Sequence, residues 1–203
     1  AVRMKLNHVV LTSVARDDLP DGGSGVFADT IRAIRERLPQ ASIEVLTPDF
    51  QGDETDLTRV LEARPDVFNH NLETVSRLQP VIRPQASYGR SLKVLQFVSS
   101  WPQGPAVKSG LMAGLGETDD ELRQSIRDLF DHGVRLLTLG QYLQPSRMHR
   151  PVDRYLEPAV FEEMAEFAKG LGFKGVASGP MVRSSYKADE LLRSARPNEA
   201  ATV

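Results

Sequence analysis

Polar side chains suited to binding hydroxyl groups are concentrated at Asn69, His70, Asn71 and Glu73, directly after a short apolar run. If that run is a strand, alternation places Asn69 and Asn71 on one face and His70 on the other. Two carboxamides and a carboxylate can bind a ribose diol, whereas the second histidine that a metal site normally requires is missing. We therefore expect a ligand-binding role for Asn69, Asn71 and Glu73, and a hydrogen-bonded structural role for His70.

The segment 17–23, Asp-Asp-Leu-Pro-Asp-Gly-Gly, is acidic and ends in two glycines. Its three carboxylates could hold a hard cation or bind an amine on a substrate. The same residues also suit a turn before a helix, where aspartate interacts favourably with the helix dipole. Because a calcium-binding loop follows a stricter pattern, the acidic turn is the preferred interpretation.

Two later segments contain residues that could approach a ligand. Glycines at 110, 114 and 116 precede Glu117, and their spacing matches neither the dinucleotide-binding pattern nor the P-loop. This segment could therefore be either a ligand-binding loop or a tight turn. Gln141, Tyr142 and Gln144 could bind a planar base or form an ordinary polar loop. By its chemistry alone, the segment 183–186, Arg-Ser-Ser-Tyr, is a polar turn.

Short apolar runs alternate with amphipathic stretches, and polar residues follow five of the six runs. Strand–helix alternation with right-handed crossovers predicts an α/β fold with a parallel sheet. Because barrels place functional residues at the carboxyl ends of strands, this distribution favours a full or partial (β/α) barrel over an open doubly wound sheet. We expect Ser87 to cap one helix and Thr118 with Glu121 to form a capping box on another. One domain is expected over residues 1–203, with a flexible tail at 193–203.

The composition excludes several classes of protein. The chain has 203 residues, a formal net charge of -2 and no cysteine. The absence of cysteine excludes disulfides, thiolate zinc sites and iron–sulfur clusters held only by cysteines within this chain. No basic patch suits nucleic acid, and no apolar run approaches the roughly 18–20 residues that a membrane helix requires. We therefore expect neither nucleic acid nor a membrane as a partner.

Taken together and in order, the polar segments resemble the lipoyl synthases, a family of radical S-adenosylmethionine (SAM) enzymes. The resemblance implies a partial (β/α) barrel of the radical SAM type, with parallel strands and the first β/α unit missing. It extends from about residue 7 to residue 190 and is carried by seven stretches, 8–14, 16–23, 44–50, 66–74, 108–118, 140–147 and 177–186.

This resemblance implies the insertion of two sulfur atoms into an octanoyl chain on a lysine of a carrier domain, which forms the lipoyl cofactor. The family uses SAM and two 4Fe–4S clusters, one to cleave SAM and an auxiliary one as the sulfur source. The implied partners are an octanoylated lipoyl domain or glycine cleavage H protein, and an electron donor such as ferredoxin or flavodoxin. The implied compartment is the cytoplasm, or an organelle if a transit peptide lies upstream.

The resemblance also assigns roles to residues by their position. Ser185 matches the serine that is the fourth ligand of the auxiliary cluster, and Arg183 lies beside it. No catalytic residue is assignable within this chain. The positions that match the SAM site are Gly22, Gly23, Asn71, Glu73, Lys108, Gly110, Gln141, Tyr142 and Gln144.

The chain departs from the family pattern in its cysteines. The family binds each cluster with a three-cysteine motif upstream of the matched region, and this chain has none. We therefore expect the carboxyl-terminal part of a lipoyl synthase, inactive by itself. Two alternatives stay open: a non-catalytic barrel module that binds SAM or a nucleoside, and a cysteine-free aldolase-type barrel enzyme.

Overall fold

Six parallel strands form one sheet in which the spatial order equals the chain order. A computed structural model of the chain describes residues 1–195. A doubly wound sheet would reverse its strand order at a switch point, so the uninterrupted order identifies a partial (β/α) barrel. The strands are β1 His8–Thr12, β2 Ser42–Leu46, β3 Val67–Asn69, β4 Ala106–Ala113, β5 Leu136–Gln141 and β6 Gly175–Gly179.

Seven α-helices occur within residues 1–195, and most of them pack on the outer face of the sheet. Ser87 accepts a hydrogen bond from the Arg90 amide at the start of the fourth helix, and Thr118 and Glu121 form the expected capping box on the fifth. The helices are α1 Ser24–Arg37, α2 Glu54–Glu62, α3 Gln79–Ile82, α4 Tyr88–Ser99, α5 Asp119–Asp131, α6 Pro158–Leu171 and α7 Ala188–Ala195.

The two faces of the sheet differ in chemistry. Alternate residues such as Ile43, Val45 and Phe68 are fully buried in the apolar core between the strands and the helices. The opposite, inner face contains polar residues, with Glu44 and Lys108 fully buried there. The helices therefore cover the apolar outer face of the barrel, and polar side chains occupy its inner face.

Helix α7 was not predicted, and it includes the first residues of the expected tail. Residues 193–195 belong to this helix, while the rest of that tail, 196–203, lies outside the described residues. Leu192 packs against Val67 and Leu136, the first residues of β3 and β5, in a second apolar cluster. Because both contacts are at the amino ends of strands, α7 covers the end of the barrel opposite the strands' carboxyl ends.

Candidate functional site

A cleft of about 580 Å³ lies where the carboxyl ends of the strands meet. This volume falls within the range of small-molecule sites, about 300–1,000 Å³. Its wall combines a carboxylate, several guanidinium groups and apolar side chains. Its lining includes Glu73, Arg83, Met112, Tyr142, Arg150 and Arg183.

Glu73 is held in the cleft wall by backbone contacts to β4. Its amide donates to the Gly110 carbonyl at 2.9 Å, and its own carbonyl accepts from the Met112 amide at 2.8 Å. Its φ of 71° is left-handed, a strained conformation for a residue with a side chain. Burial raises the pKa of the Glu73 carboxyl, and the nearby Arg83 opposes that rise. The carboxyl is thus fixed in place where little water reaches it.

Asn71 lies beside Glu73, as the sequence predicted. Its Nδ2 donates to Oε1 of Glu73 at 3.1 Å, while its Oδ1 is buried without a hydrogen-bond partner among the described residues. A Cβ atom at Gly110 would lie 2.8 Å from that oxygen and from Oγ1 of Thr138. Gly110 is therefore required for Asn71 to pack across β4, and the structure brings these three predicted site residues together.

His70 projects to the opposite side of the sheet and is hydrogen-bonded within the protein, which confirms its predicted structural role. Its Nδ1 contacts the Thr47 carbonyl oxygen at 3.0 Å and its Nε2 contacts Oγ of Ser91 at 2.9 Å. Burial lowers the pKa of His70, so the neutral ring is favoured. The ring thereby ties the end of β3 to the end of β2 and to α4.

Lys108 is not among the residues that line the cleft, and its match to the SAM site stays a prediction. Its side chain is fully buried on the inner face of the barrel, and Nζ lies 2.8 Å from Oε1 of Glu44. Asn69 shares the face of Asn71, as alternation predicted, but its Nδ2 also donates to Glu44. Sequence reasoning missed the ion pair between Lys108 and Glu44. The position of Glu44 among apolar residues of β2 could have indicated a buried carboxylate that requires a partner.

The polar side chains that follow β5 are already bonded to the protein backbone. Gln141 donates to the carbonyls of Tyr142 and Arg154 and accepts from the Leu156 amide. The Tyr142 hydroxyl donates to the Arg150 carbonyl at 2.8 Å. Gln144 likewise donates to a carbonyl, that of His149. These groups shape the loop 142–157, and binding of a base by their side chains stays a prediction.

The glycine segment before α5 is a tight turn closed by its own carboxylate. Glu117 accepts hydrogen bonds from the amides of Gly114 at 2.6 Å and Leu115 at 2.8 Å. Gly114 and Gly116 both have left-handed φ angles above 100°. Because Glu117 uses these amides, they are not available to a ligand, and the tight turn is the alternative that the structure supports.

The acidic segment before α1 is also a turn. Asp21 accepts hydrogen bonds from the amides of Gly25 and Gly23, and these bonds lower the pKa of its carboxyl. Within residues 1–195, no three histidine, cysteine, aspartate or glutamate side chains form a group that could hold a metal ion. Gly22 and Gly23 do not line the cleft, and their match to the SAM site stays a prediction.

The loop after β6 brings Arg183 to the cleft. The carbonyl of Val182 packs directly against Gly140 of β5, where a side chain would not fit. Arg183 lines the cleft, whereas Ser185 is exposed. Arg83 and Arg150 also line the cleft. Sequence reasoning missed Arg83 because it lies in no recognisable pattern, whereas Arg150 belongs to the polar segment after β5.

Comparison with known proteins identifies the class first. The family model of the radical SAM superfamily matches residues 1–129, and the chain belongs to that superfamily. Its relatives within the superfamily are lipoyl synthases. It is 53% identical over 194 residues to the lipoyl synthase of Rubrobacter xylanophilus, a match that covers 96% of this chain and 60% of the relative. It is 56% identical over 188 residues to that of Methylococcus capsulatus, covering 92% and 58%.

The chain thus spans about three fifths of the length of these relatives. Two solved structures share the fold at low sequence identity. Methylornithine synthase superimposes with a TM-score of 0.62 at 16% identity, covering 88% of this chain and 59% of the other. A domain of pyruvate-formate lyase-activating enzyme from Bacteroides vulgatus gives 0.59 at 12% identity, covering 82% and 98%. These likenesses confirm the predicted α/β partial barrel.

Membership of the superfamily implies SAM and a 4Fe–4S cluster, and the residues fit these two groups unequally. The cleft fits SAM because the Glu73 carboxyl and the apolar Met112 line it. Asn71, whose Oδ1 is buried without a partner among residues 1–195, is hydrogen-bonded to Glu73. The chain does not fit a cluster, since it has no cysteine and Ser185 is exposed. No residue set described here replaces the missing thiolates. No helix in the described residues is both long and apolar enough to cross a membrane.

Proposed function

We propose that this chain is the SAM- and acyl-binding part of a lipoyl synthase, which inserts two sulfur atoms into a protein-bound octanoyl chain. The observation that carries this proposal is that Glu73 and Arg183 line the same cleft. Glu73 matches the SAM site, and Arg183 lies beside the position matched to the auxiliary-cluster ligand. When bound, SAM would supply the radical that removes hydrogen from the acyl chain. The proposed partners are an octanoylated carrier domain and an electron donor, and the proposed compartment is the cytoplasm or an organelle.

The proposed role of the chain's own residues follows from their contacts. Asn71 Oδ1 is a buried acceptor without a partner among residues 1–195, so a ligand hydroxyl at that point would satisfy it. The Glu73 carboxyl is fixed beside it and can accept or donate according to its protonation. Met112 and Tyr142 provide apolar surface for a base or an acyl chain. Together they would bind and orient the ligands and exclude water.

Calorimetry with SAM and with 5′-deoxyadenosine tests the binding part of this proposal. We expect both compounds to bind, and Asn71→Ala to weaken binding by about five-fold, because a hydrogen bond in a buried site contributes on the order of 1 kcal/mol. Asn7→Ala, at an exposed asparagine outside the cleft, is the matched control. A folded chain that binds neither compound contradicts the proposal.

The absence of cysteine supports two further expectations for the chain by itself. After anaerobic incubation with ferrous iron and sulfide, we expect no stable cluster, because the thiolates that hold one are absent. We also expect no sulfur insertion. Stoichiometric retention of iron and sulfide would show that this chain builds a cluster from other ligands and would contradict the proposal.

A second candidate function, favoured by the missing cysteines, is a non-catalytic module that binds SAM. A chimeric enzyme distinguishes this candidate from the proposed fragment of an enzyme. The chain would replace the matched 60% of the Rubrobacter xylanophilus lipoyl synthase, to which it is 53% identical. We expect the chimera to form lipoyl groups on an octanoylated carrier, measured by mass spectrometry. A folded, cluster-loaded chimera that binds SAM without forming product would instead support the non-catalytic module.

A further inference from the structure

The interior of the barrel contains a charged layer of side chains. Barrel interiors are usually filled by layers of branched apolar side chains. Here Glu44 of β2, Asn69 of β3 and Lys108 of β4 meet, and all three are fully buried. Lys108 Nζ lies 2.8 Å from Oε1 of Glu44, and Asn69 Nδ2 donates to the same oxygen at 3.2 Å. Glu44 is therefore the centre of this layer, because both of the other side chains bond to it.

The charged layer stabilises the sheet less well than apolar packing would. Oε2 of Glu44 and Oδ1 of Asn69 are buried without a hydrogen-bond partner among residues 1–195. A buried ion pair loses the hydration of both charges, and well-packed apolar residues of similar volume are often as stable or more so. A polar network that is satisfied only in part is less favourable still. Stability alone therefore does not account for these three residues.

The next layer towards the cleft contains the proposed ligand-binding oxygen. Asn71 follows Asn69 on the same face, roughly 7 Å further along the chain, and Gly110 follows Lys108 on the same face of β4. A Cβ atom at Gly110 would lie 2.8 Å from Oδ1 of Asn71, so these two residues are in close contact across the strands. The charged layer therefore lies directly below the unpartnered oxygen of Asn71.

The end of β3 is held between its two neighbouring strands by this layer. The register of β3 and β4 places Asn69 opposite Lys108. The Lys108 carbonyl also accepts a hydrogen bond from the His70 amide at 3.1 Å. Both side chains of the pair bond to Glu44 on β2. A displacement of Asn69 would therefore move Asn71, which lies two residues further along the same strand end.

We propose that Glu44 is a positioning residue for the SAM site, because it holds Asn69 beside Lys108 and thereby sets the direction in which Oδ1 of Asn71 faces a ligand hydroxyl. The inference rests on the proposed function and adds to it a residue that is not among those lining the cleft. Glu44 contacts no ligand in this role. Apolar side chains in its layer should weaken SAM binding with little loss of stability.

Calorimetry with SAM on the methionine double variant, Glu44→Met/Lys108→Met, tests this role. The two substitutions remove both charges together, so we expect the midpoint of urea unfolding to lie closer to that of the unaltered chain than to that of Lys108→Met. We expect SAM to bind about five-fold more weakly, the loss expected for Asn71→Ala. Glu166→Met/Lys169→Met, in an exposed pair on α6, is the matched control and should change the affinity by less than about two-fold.

A conservative variant separates the hydrogen bond to Asn69 from the charges. In Glu44→Gln/Lys108→Met, the introduced amide oxygen can still accept from Asn69 Nδ2, and no charge is buried. We expect this variant to bind SAM within about two-fold of the unaltered chain. In NMR spectra, the side-chain amide signals of Asn71 are those lost in Asn71→Ala. They should shift in the methionine double variant and return towards their original positions in the conservative variant.

Each outcome supports or overturns the role of Glu44. A methionine double variant with unchanged SAM affinity and unchanged Asn71 signals would overturn it. So would a conservative variant that binds SAM as weakly as the methionine double variant, since the effect would then not pass through Asn69. An unfolding midpoint as low as that of Lys108→Met would overturn it as well, because the layer would then serve the fold. If the unaltered chain binds no SAM, the proposed SAM site fails, and the Asn71 signals alone decide whether Glu44 orients that side chain.

Discussion

The Nζ atom of Lys108 lies 2.8 Å from Oε1 of Glu44, and both side chains are fully buried inside the barrel. Lys108 is on β4 and Glu44 is on β2, and Asn69 on the intervening β3 donates to the same glutamate oxygen at 3.2 Å. Moving either charge out of water alone costs several kcal/mol, so each requires the other. The pair links three adjacent strands beneath the cleft and gives them a fixed relative position.

Replacing Lys108 with methionine should therefore be strongly destabilising. The substitution keeps most of the side-chain volume but leaves Glu44 buried without its counter-charge, at an expected cost of about 3–5 kcal/mol in the free energy of unfolding. Urea denaturation measures this cost. The matched control is Lys169→Met in the exposed pair with Glu166, where we expect a change below about 1 kcal/mol. Equal costs at the two sites would mean that the interior pair is not energetically coupled to the fold.

Gly114→Ala should destabilise the turn that precedes α5. Gly114 has a φ of 101°, and an added Cβ would overlap the Gln141 amide and lie 2.5 Å from the Arg154 carbonyl oxygen. Strain and overpacking together should cost about 2 kcal/mol or more. Gly89→Ala in α4, where nothing lies within 4 Å, should be neutral or stabilising by up to about 1 kcal/mol. The thermal unfolding midpoint should therefore fall in Gly114→Ala and stay unchanged or rise in Gly89→Ala. An unchanged midpoint in Gly114→Ala would contradict the close packing around Gly114.

Local patterns in the sequence predicted much of the fold. The six apolar runs are strands, and the capping box at Thr118 and Glu121 begins a helix as expected. Helix α7 was missed because it is short and because Leu192 is buried by strand residues far away in sequence. Its stability depends on the closed end of the barrel, which no local pattern describes.

The sequence alone shows only some of the contacts at the candidate site, and the reason is physical. Asn71 and Glu73 meet because they are neighbours on one strand end, which alternation can show. A ligand-binding role for Gln141 stays a prediction, and its side chain already bonds to backbone groups 13 and 15 residues further along the chain. A sequence shows which groups can form hydrogen bonds, but the folded loop determines which of them are already satisfied.

Gln141→Leu should loosen the loop 142–157. The Gln141 amide makes three hydrogen bonds of 3.0 Å, to the Tyr142 and Arg154 carbonyls and from the Leu156 amide. Leaving these buried groups unpaired should cost about 1–3 kcal/mol. Hydrogen exchange should detect faster exchange of the Leu156 amide in the variant. Unchanged exchange there would show that Gln141 does not hold the loop.

Gln144→Leu is the control for this experiment. Its side chain is exposed and makes a single bond, to the His149 carbonyl. Water can replace that bond, so we expect less than about 1 kcal/mol of destabilisation and no change at the Leu156 amide. A comparable loss in both variants would point to a general effect of removing a polar side chain from this loop.

Two glutamates should contribute to the pH dependence of stability with opposite signs. Burial raises the pKa of Glu73, so its folded form binds a proton more tightly than the unfolded chain does. Its stabilising contribution is complete below the ordinary pKa of about 4.5 and is lost as the pH rises through the raised value. The guanidinium of Arg77 and the amide of Thr118 lower the pKa of Glu121 to about 2. Its contribution is complete above about 4.5 and is lost as the pH falls towards 2.

Glu73→Gln should therefore raise the free energy of unfolding at neutral pH, because it removes a charge that burial disfavours. Glu121→Gln should lower it at neutral pH and have little effect near pH 2, where the wild-type carboxyl is itself becoming protonated. Urea unfolding of the wild type and of both variants from pH 2 to pH 8 measures these differences. A Glu73→Gln variant that is less stable than the wild type at neutral pH would show that the ionised carboxyl is stabilised in the cleft and that its pKa is not raised by burial.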